Sequence, residues 1–135
     1  MSTFYYRDPV SKFCPVKQYL KKFSNENKLL VTIDGKIKSV AIDGHPFLPI
    51  AKMLIGYSTF EIIQPFKDIN IRLLCAFVSD ELILFHAFDK PRYYDNVKKV
   101  KRDIEKNYNI SEKYYNIFLD GISKKNYEEY KEEYK

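Results

Sequence analysis

Arg72 and His86 are the two residues whose type and setting most invite chemistry. Each interrupts a dense apolar run, Arg72 within Ile71 to Val78 and His86 within Leu82 to Phe88, and only Ser79, Asp80 and Glu81 separate the runs. That pattern predicts a β-hairpin whose strands are covered on both faces, in the middle of a sheet. A charge in a central strand is costly unless it is paired or faces a solvated groove. Counting back from a turn centred on Asp80 places the two side chains within one or two rungs of each other. A guanidinium there can stabilise the dianionic phosphorane formed when a ribose 2′-hydroxyl attacks its own phosphate, and an imidazole can move the proton. The competing structural roles are an ion pair of Arg72 with Glu61 on the preceding strand and, for His86, a core histidine bonded to a backbone carbonyl.

Just past the hairpin, Lys90, Arg92, Tyr93 and Tyr94 mix cations with rings. Single-stranded RNA asks for that mixture, charges for phosphates and aromatic faces for unstacked bases. Lys98, Lys99, Lys101, Arg102 and Lys106 then give the following helical segment a basic face. A solvated face is the alternative reading. The chain carries no Gly-rich phosphate loop, HExxH, CxxC pair or nucleophile elbow. With two histidines in all, a metal site would need carboxylates to complete it, so chemistry without metal or cofactor is expected.

The elements that must position these residues can be read in order. Phe4, Tyr5 and Tyr6 form either a short first strand or a packed tail. Pro15 opens a helix in which Val16, Tyr19, Leu20 and Phe23 recur at helical spacing. Ser24 and Asn25 cap a second helix with Leu30, Ile33, Ile37 and Val40 inside, ended by Asp43, Gly44, His45 and Pro46, and Gly35 offers a break near its middle. Ile50 to Leu54 and Ser58 to Gln64 read as strands joined at Gly56, and Lys67 with Asp68 turns into the hairpin. A third helix is expected from Tyr94 to Tyr108, and a fourth capped by Ser111 and stopped by Gly121, carrying Tyr114, Tyr115, Phe118 and Leu119. The tail from Ser123, with Tyr127, Tyr130 and Tyr134 among alternating charges, suits a solvated or loosely docked helix.

Together these predict an α+β fold: two N-terminal helices packed on one face of a twisted, mainly antiparallel sheet of about four strands, followed by C-terminal helices. The 135 residues, 45% hydrophobic, suit one domain, and 12 tyrosines with 10 phenylalanines argue for a packed core. A net charge of +5 tilts toward polyanionic partners. Cys14 and Cys75 match no metal spacing, and a disulfide is not expected. No apolar run approaches a membrane span, so the cytoplasm is the expected location.

From Ser11 to Tyr108 the chain resembles the RelE/HigB superfamily of type II toxins, in its phage-derived HigB-like branch. The resemblance rests on Pro15 and Val16 with the helix KQYLKKF, on Phe60, Glu61 and Ile62, on IRLLCAF, and on LILFHAFDKP followed by a basic helix. In that branch these places read as Pro-Val with an amphipathic helix, a Tyr-Glu-Leu-Arg strand, an Arg-led apolar strand, and a Leu-hydrophobic-Gly-Phe segment ending in Lys-Lys. Arg72 and Lys90 occupy matching basic positions. Ile63 stands where the family has its other strand arginine, Ala87 replaces the glycine, and Pro91 the second lysine. The chain is read as a single RelE-like domain over residues 1–122 with a charged, Tyr-rich helical tail at 123–135; the fourth helix and the tail after Ser111 are additions to the family pattern, and nothing of the family carries over to them. The resemblance implies an mRNA endoribonuclease, acting on or off the ribosome to inhibit translation, neutralised by a cognate helix-turn-helix antitoxin. Arg72, His86 and Lys90 would be catalytic, and Arg92, Tyr93, Lys98, Lys99 and Arg102 would hold RNA; the antitoxin would lie over that same basic surface. The alternative from another class is a noncatalytic RNA- or protein-binding module of phage or mobile-element origin.

Overall fold

The structure is a computed structural model that describes residues 2–134, apart from the side chain of Tyr127. Its elements are β1 (Thr3–Tyr6), α1 (Pro15–Lys21), α2 (Asn27–Asp43), β2 (Ala51–Met53), β3 (Phe60–Phe66), β4 (Ile69–Val78), β5 (Glu81–Pro91), α3 (Val97–Ser123), a 3-10 turn at Tyr127–Tyr130 and β6 (Lys131–Glu133). The fold is α+β, as the sequence predicts.

The hairpin forms where the apolar runs place it. Val78 pairs with Glu81 across a two-residue loop, and Ser79 and Asp80 both take positive φ, 51° and 63°. Two left-handed residues in succession match the right-handed twist of the flanking strands. Phe85 is an extra residue opposite the Leu74–Cys75 step, a bulge on β5. Below it His86, Phe88 and Lys90 share a face with Leu74, Arg72 and Asn70.

The sheet has six strands in the order β2-β3-β4-β5-β1-β6, two more than the expected four. The N-terminal segment is a strand, and it runs parallel to β5, with Tyr5 opposite Leu84. The C-terminal segment is not a solvated helix. It pairs antiparallel with β1, Tyr5 facing Glu132, because β1 would otherwise leave its outer N–H and C=O groups open. Lys131 is buried there, its ammonium 2.7 Å from Glu81 and over the Phe4 ring.

One sheet face is covered by α1 and α2. Val16, Leu29, Ile33 and Ile37 pack on Ile62, Ile71, Leu73 and Leu84 in one cluster. Helix α2 runs unbroken through Gly35 and ends at Gly44, whose φ is 80°. Both cysteines are free and belong to this cluster.

The other face is crossed by one 27-residue helix, about 40 Å long at 1.5 Å per residue, where two were expected. Asn96 caps it, accepting from the Lys99 N–H at 3.0 Å. Ser111 caps nothing: it is fully buried in mid-helix, donates to the Tyr108 carbonyl at 2.8 Å, and meets the Thr59 hydroxyl at 3.2 Å. Gly121 does not stop the helix either. Among the described residues no helix is long and apolar enough to cross a membrane.

Gly121 is where α3 touches the returning chain. A Cβ built on it would lie 2.8 Å from the Tyr130 ring, too close for any real contact. Both residues are buried, so the ring has no solvent to retreat into. Gly121→Ala is expected to cost about 1–3 kcal/mol through this overpacking, despite alanine's better helix propensity. A urea melt checks it; an unchanged or higher midpoint would mean that the tail yields freely.

Candidate active site

On the α3 side of the sheet, strand register gathers four charged side chains. Lys52 on β2 stands opposite Glu61 on β3, while Arg72 on β4 lies opposite Ile63 and Phe88, and Lys90 on β5 lies opposite Asn70. Alternation then puts Lys52, Glu61, Arg72 and Lys90 on one face.

Glu61 is the centre. Its carboxylate is fully out of solvent, Oε1 paired with Arg72 Nη1 and Oε2 accepting from the Tyr108 hydroxyl at 3.0 Å. Lys52 Nζ is 4.0 Å from the same Oε1, with its side chain 53% exposed. Tyr108 reaches down from α3, its ring against Tyr57 at 5.3 Å and Phe88 at 6.1 Å. Leu54, Leu74, Phe88 and Ile104 make the surrounding wall apolar. Burial and then the Glu61 charge push the Tyr108 phenol well above its ordinary range, so it stays a donor. Arg72 Nε is buried and has no hydrogen-bond partner among the described residues.

Lys90 is half-buried at the margin of this cluster. Partial burial holds its ammonium below the ordinary lysine range; Arg72 and Lys52 push the same way and Glu61 opposes them. Three cations thus face one carboxylate. The surplus is positive, and two of the cations, Lys52 and Lys90, remain open to solvent at least in part. That arrangement suits an anionic group docked against the face. Among the described residues no three His, Cys, Asp or Glu side chains gather where they could hold a metal ion.

His86 shares the face but not the cluster. Its Nε2 meets Asn107 Oδ1 at 2.8 Å, and Asn107 Nδ2 donates to the Asp103 carbonyl at 2.7 Å, so the amide oxygen accepts and the ring carries its proton on Nε2. Nδ1 is buried without a hydrogen-bond partner among the described residues, and the ring sits beside Phe88 and Tyr114 under α3. No hydrogen bond joins it to Arg72 or Lys90. The expected partner was a backbone carbonyl; a side-chain amide takes that place.

Beyond β5 the basic residues lie on the surface. Arg92 Nη1 donates to the Lys67 carbonyl at 3.2 Å, and its guanidinium stands 5.9 Å from the Tyr93 ring. Tyr93 is 78% exposed, and Lys98, Lys99 and Arg102 are exposed on the first turns of α3. They form a continuation of the Lys90 margin along the chain rather than part of the Glu61 cluster.

No protein-family model, no curated protein and no solved structure matches the chain. The site is therefore read from its own geometry. Sequence reasoning picks out Arg72 and Lys90 and offers the Arg72–Glu61 pair as a structural role. It misses Lys52, Tyr108 and Asn107. Lys52 had a signal, alternation within a strand beside Glu61, whereas Tyr108 and Asn107 acquire meaning only from where α3 crosses the sheet.

Burial holds the His86 imidazole below its ordinary pKa, with the Asn107 bond opposing. The folded chain therefore binds this proton less readily than the unfolded chain does. The contribution of His86 to stability is complete above the unfolded value of about 6.5 and is lost as the pH falls through the lower folded value, with a slope of at most ~1.4 kcal/mol per pH unit. His86→Gln keeps a donor for Asn107 and removes the titration. Urea midpoints at pH 7.5 and pH 5.5 should fall further for the parent than for His86→Gln, and equal falls would exclude a buried neutral imidazole.

Proposed function

We propose that this chain is a translation-inhibiting endoribonuclease of the RelE/HigB toxin type, cutting mRNA through attack of a ribose 2′-hydroxyl on the adjacent phosphate. The observation that supports it best is the convergence of Lys52, Arg72 and Lys90, from three strands, around one buried carboxylate. In this reading the phosphate lies over the Arg72–Glu61 pair with Lys52 and Lys90 to either side. Lys90, as the neutral amine that burial and Arg72 favour, takes the proton from the 2′-hydroxyl and becomes the ammonium as the new O–P bond forms. Lys52 returns a proton to the departing 5′-oxygen as the old P–O bond breaks. Metal chemistry is not called for, since fixed cations carry the charge on the phosphorane.

His86 acts here through α3, holding Asn107, and not as the proton carrier. Arg92, Tyr93, Lys98, Lys99 and Arg102 would hold the flanking RNA, rings against bases and cations against phosphates. A RelE-like fold belongs to the same proposal, supported by two helices over one face of an antiparallel β2-to-β5 meander. So does a cognate helix-turn-helix antitoxin, whose acidic segment would cover the basic surface, and a cytoplasmic site of action on the mRNA.

A second reading is favoured by one observation, the neutralisation of Arg72 by Glu61. With Ile63 and Pro91 replacing two family cations, the face would then bind RNA or an acidic protein without cutting it.

Cleavage separates these readings, and a binding measurement tests the RNA path. Induction in a bacterial host should arrest growth, with new transcript 5′ ends appearing by primer extension. Lys90→Ala and Lys52→Ala should each reduce cleavage about 100- to 1000-fold at equal protein level, Lys90→Ala with an unchanged melting temperature. Arg72→Ala is the poorer probe, because it strands a buried carboxylate and endangers the fold. RNA binding with no cleavage by the parent would favour the noncatalytic module. Separately, the Lys98, Lys99 and Arg102 triple alanine variant should bind single-stranded RNA more weakly, with the slope of log affinity against log salt shallower by ~2. An unchanged slope would remove the start of α3 from the RNA path.

A further inference from the structure

On the sheet face opposite the Glu61 cluster, a groove of about 540 Å³ runs between α1 and α2. We propose that it is the docking site for an acidic amphipathic helix of a partner protein. This inference does not rest on the RNA reading, since the groove shares no residue with the cluster.

The floor is apolar, made by Leu20 of α1, Leu30 and Ile33 of α2, and Tyr5 of β1. Tyr134 lines it as well, its ring 5.3 Å from that of Tyr5 and its hydroxyl donating to Asp34 at 2.7 Å. Val31, also lining the groove, is left 72% exposed on the α2 side. An exposed apolar residue beside an apolar floor is what a docked helix covers.

The walls decide which kind of occupant fits. Both are helices, so their backbone N–H and C=O groups are already spent within the helices and an incoming strand finds no ladder to extend. Side-chain ridges on two helices make instead a trough that takes a third helix.

The rim decides its charge. Lys17 and Lys21 stand one turn apart on α1 and Lys38 stands on α2, against Asp34 as the one carboxylate in the lining. Lys38 is bound to Asp34, and Lys17 to Glu132 of β6, yet their side chains remain 68% and 44% exposed and can take a further carboxylate. Lys21 is exposed and has no ion pair among the described residues. Cations spread along both walls match a row of carboxylates on a helix better than the single head group of an acyl chain.

The test uses the full chain and three synthetic peptides of about 18 residues, or five helical turns. All share a Leu stripe at helical spacing; one has a Glu polar face, one a Lys polar face, and one is the Glu peptide with its stripe scrambled. The Glu peptide should bind with a Kd of roughly 1–100 μM, weaken with salt, and bind at least about tenfold more tightly than either of the others. Amide shifts in two-dimensional NMR should centre on Leu20, Leu30 and Val31 and spare Lys52 and Lys90. Val31→Asp and Lys21→Glu, both exposed and so neutral for folding, should each lower the affinity roughly tenfold with an unchanged melting temperature. Equal binding of the Glu and Lys peptides, no Glu-peptide binding at about 1 mM, or shifts centred elsewhere would overturn the proposal. Displacement of the Glu peptide by equimolar laurate, or self-association of the free chain that Val31→Asp abolishes, would give the groove to an acyl chain or a second copy and overturn it equally. RNA cleavage by Val31→Asp reports on the other face alone, so either idea can fail without the other.

Discussion

A carboxylate taken wholly out of water is the constraint around which the molecule is arranged. Glu61 is fully buried, and an isolated charge there would cost several kcal/mol even after relaxation. Three features meet that cost together: Arg72 on the neighbouring strand, the Tyr108 hydroxyl from above, and Lys52 at the solvent side. Each of them fixes something larger. Arg72 sets its side of β4 toward α3, Tyr108 holds α3 at a given height over the sheet, and Lys52 gives the short edge strand β2 an electrostatic tie to the interior. Slippage of β4 by one residue would turn Arg72 to the α1–α2 face and strand the carboxylate.

The second dependence is on the edges. β2 is short and carries a charged residue, while β1 is covered by the returning chain. Tail and start of the chain meet there. Arg7 donates to the Glu129 carbonyl, Lys131 pairs with Glu81 at the hairpin turn, and Tyr134 reaches Asp34 on α2. The residues after α3 therefore tie the sheet, the hairpin and the helical layer to one another. Helix α3 carries the chain there, from Tyr108 beside Glu61 to Gly121 against the Tyr130 ring.

These two dependences give the faces different characters. The α1–α2 face is a continuous apolar layer. The α3 face is divided, with Tyr6, Phe85, Phe118 and Tyr130 at one end and the smaller cluster of Leu54, Leu74 and Phe88 beside the charges at the other. The bulge at Phe85 marks the boundary, adding one residue on β5 so that Phe85 and His86 both serve the α3 side. Charge collects where that helical cover begins, because Ile104 and Tyr108 shield the wall while Lys52 and Lys90 stay at the margin.

Local pattern was enough for the hairpin, the two N-terminal helices and the α+β class. The turn at Ser79 and Asp80 is set by what flanks it, and the stripes of α1 and α2 repeat at helical spacing whatever they pack on. The prominence of Arg72 was legible for the same reason, since a lone charge in an apolar run is informative wherever the run lies. Contacts between distant segments were not legible. Ser111 looks like a cap until Thr59, far away in sequence, meets its hydroxyl in mid-helix, and Gly121 looks like a stop until the Tyr130 ring lies against it. The tail reads as a solvated helix because its alternating charges are seen without the open edge of β1 that recruits them. Likewise the partner of His86, the Asn107 amide in place of a backbone carbonyl, is set only by where α3 lies, and Lys52 and Tyr108 gain their contacts only when β2 and α3 come together over Glu61. Periodicity and composition determine which segments form and which side they bury; the partner of a buried polar atom is a property of the assembled fold, because desolvation rewards a partner wherever distant segments happen to supply one.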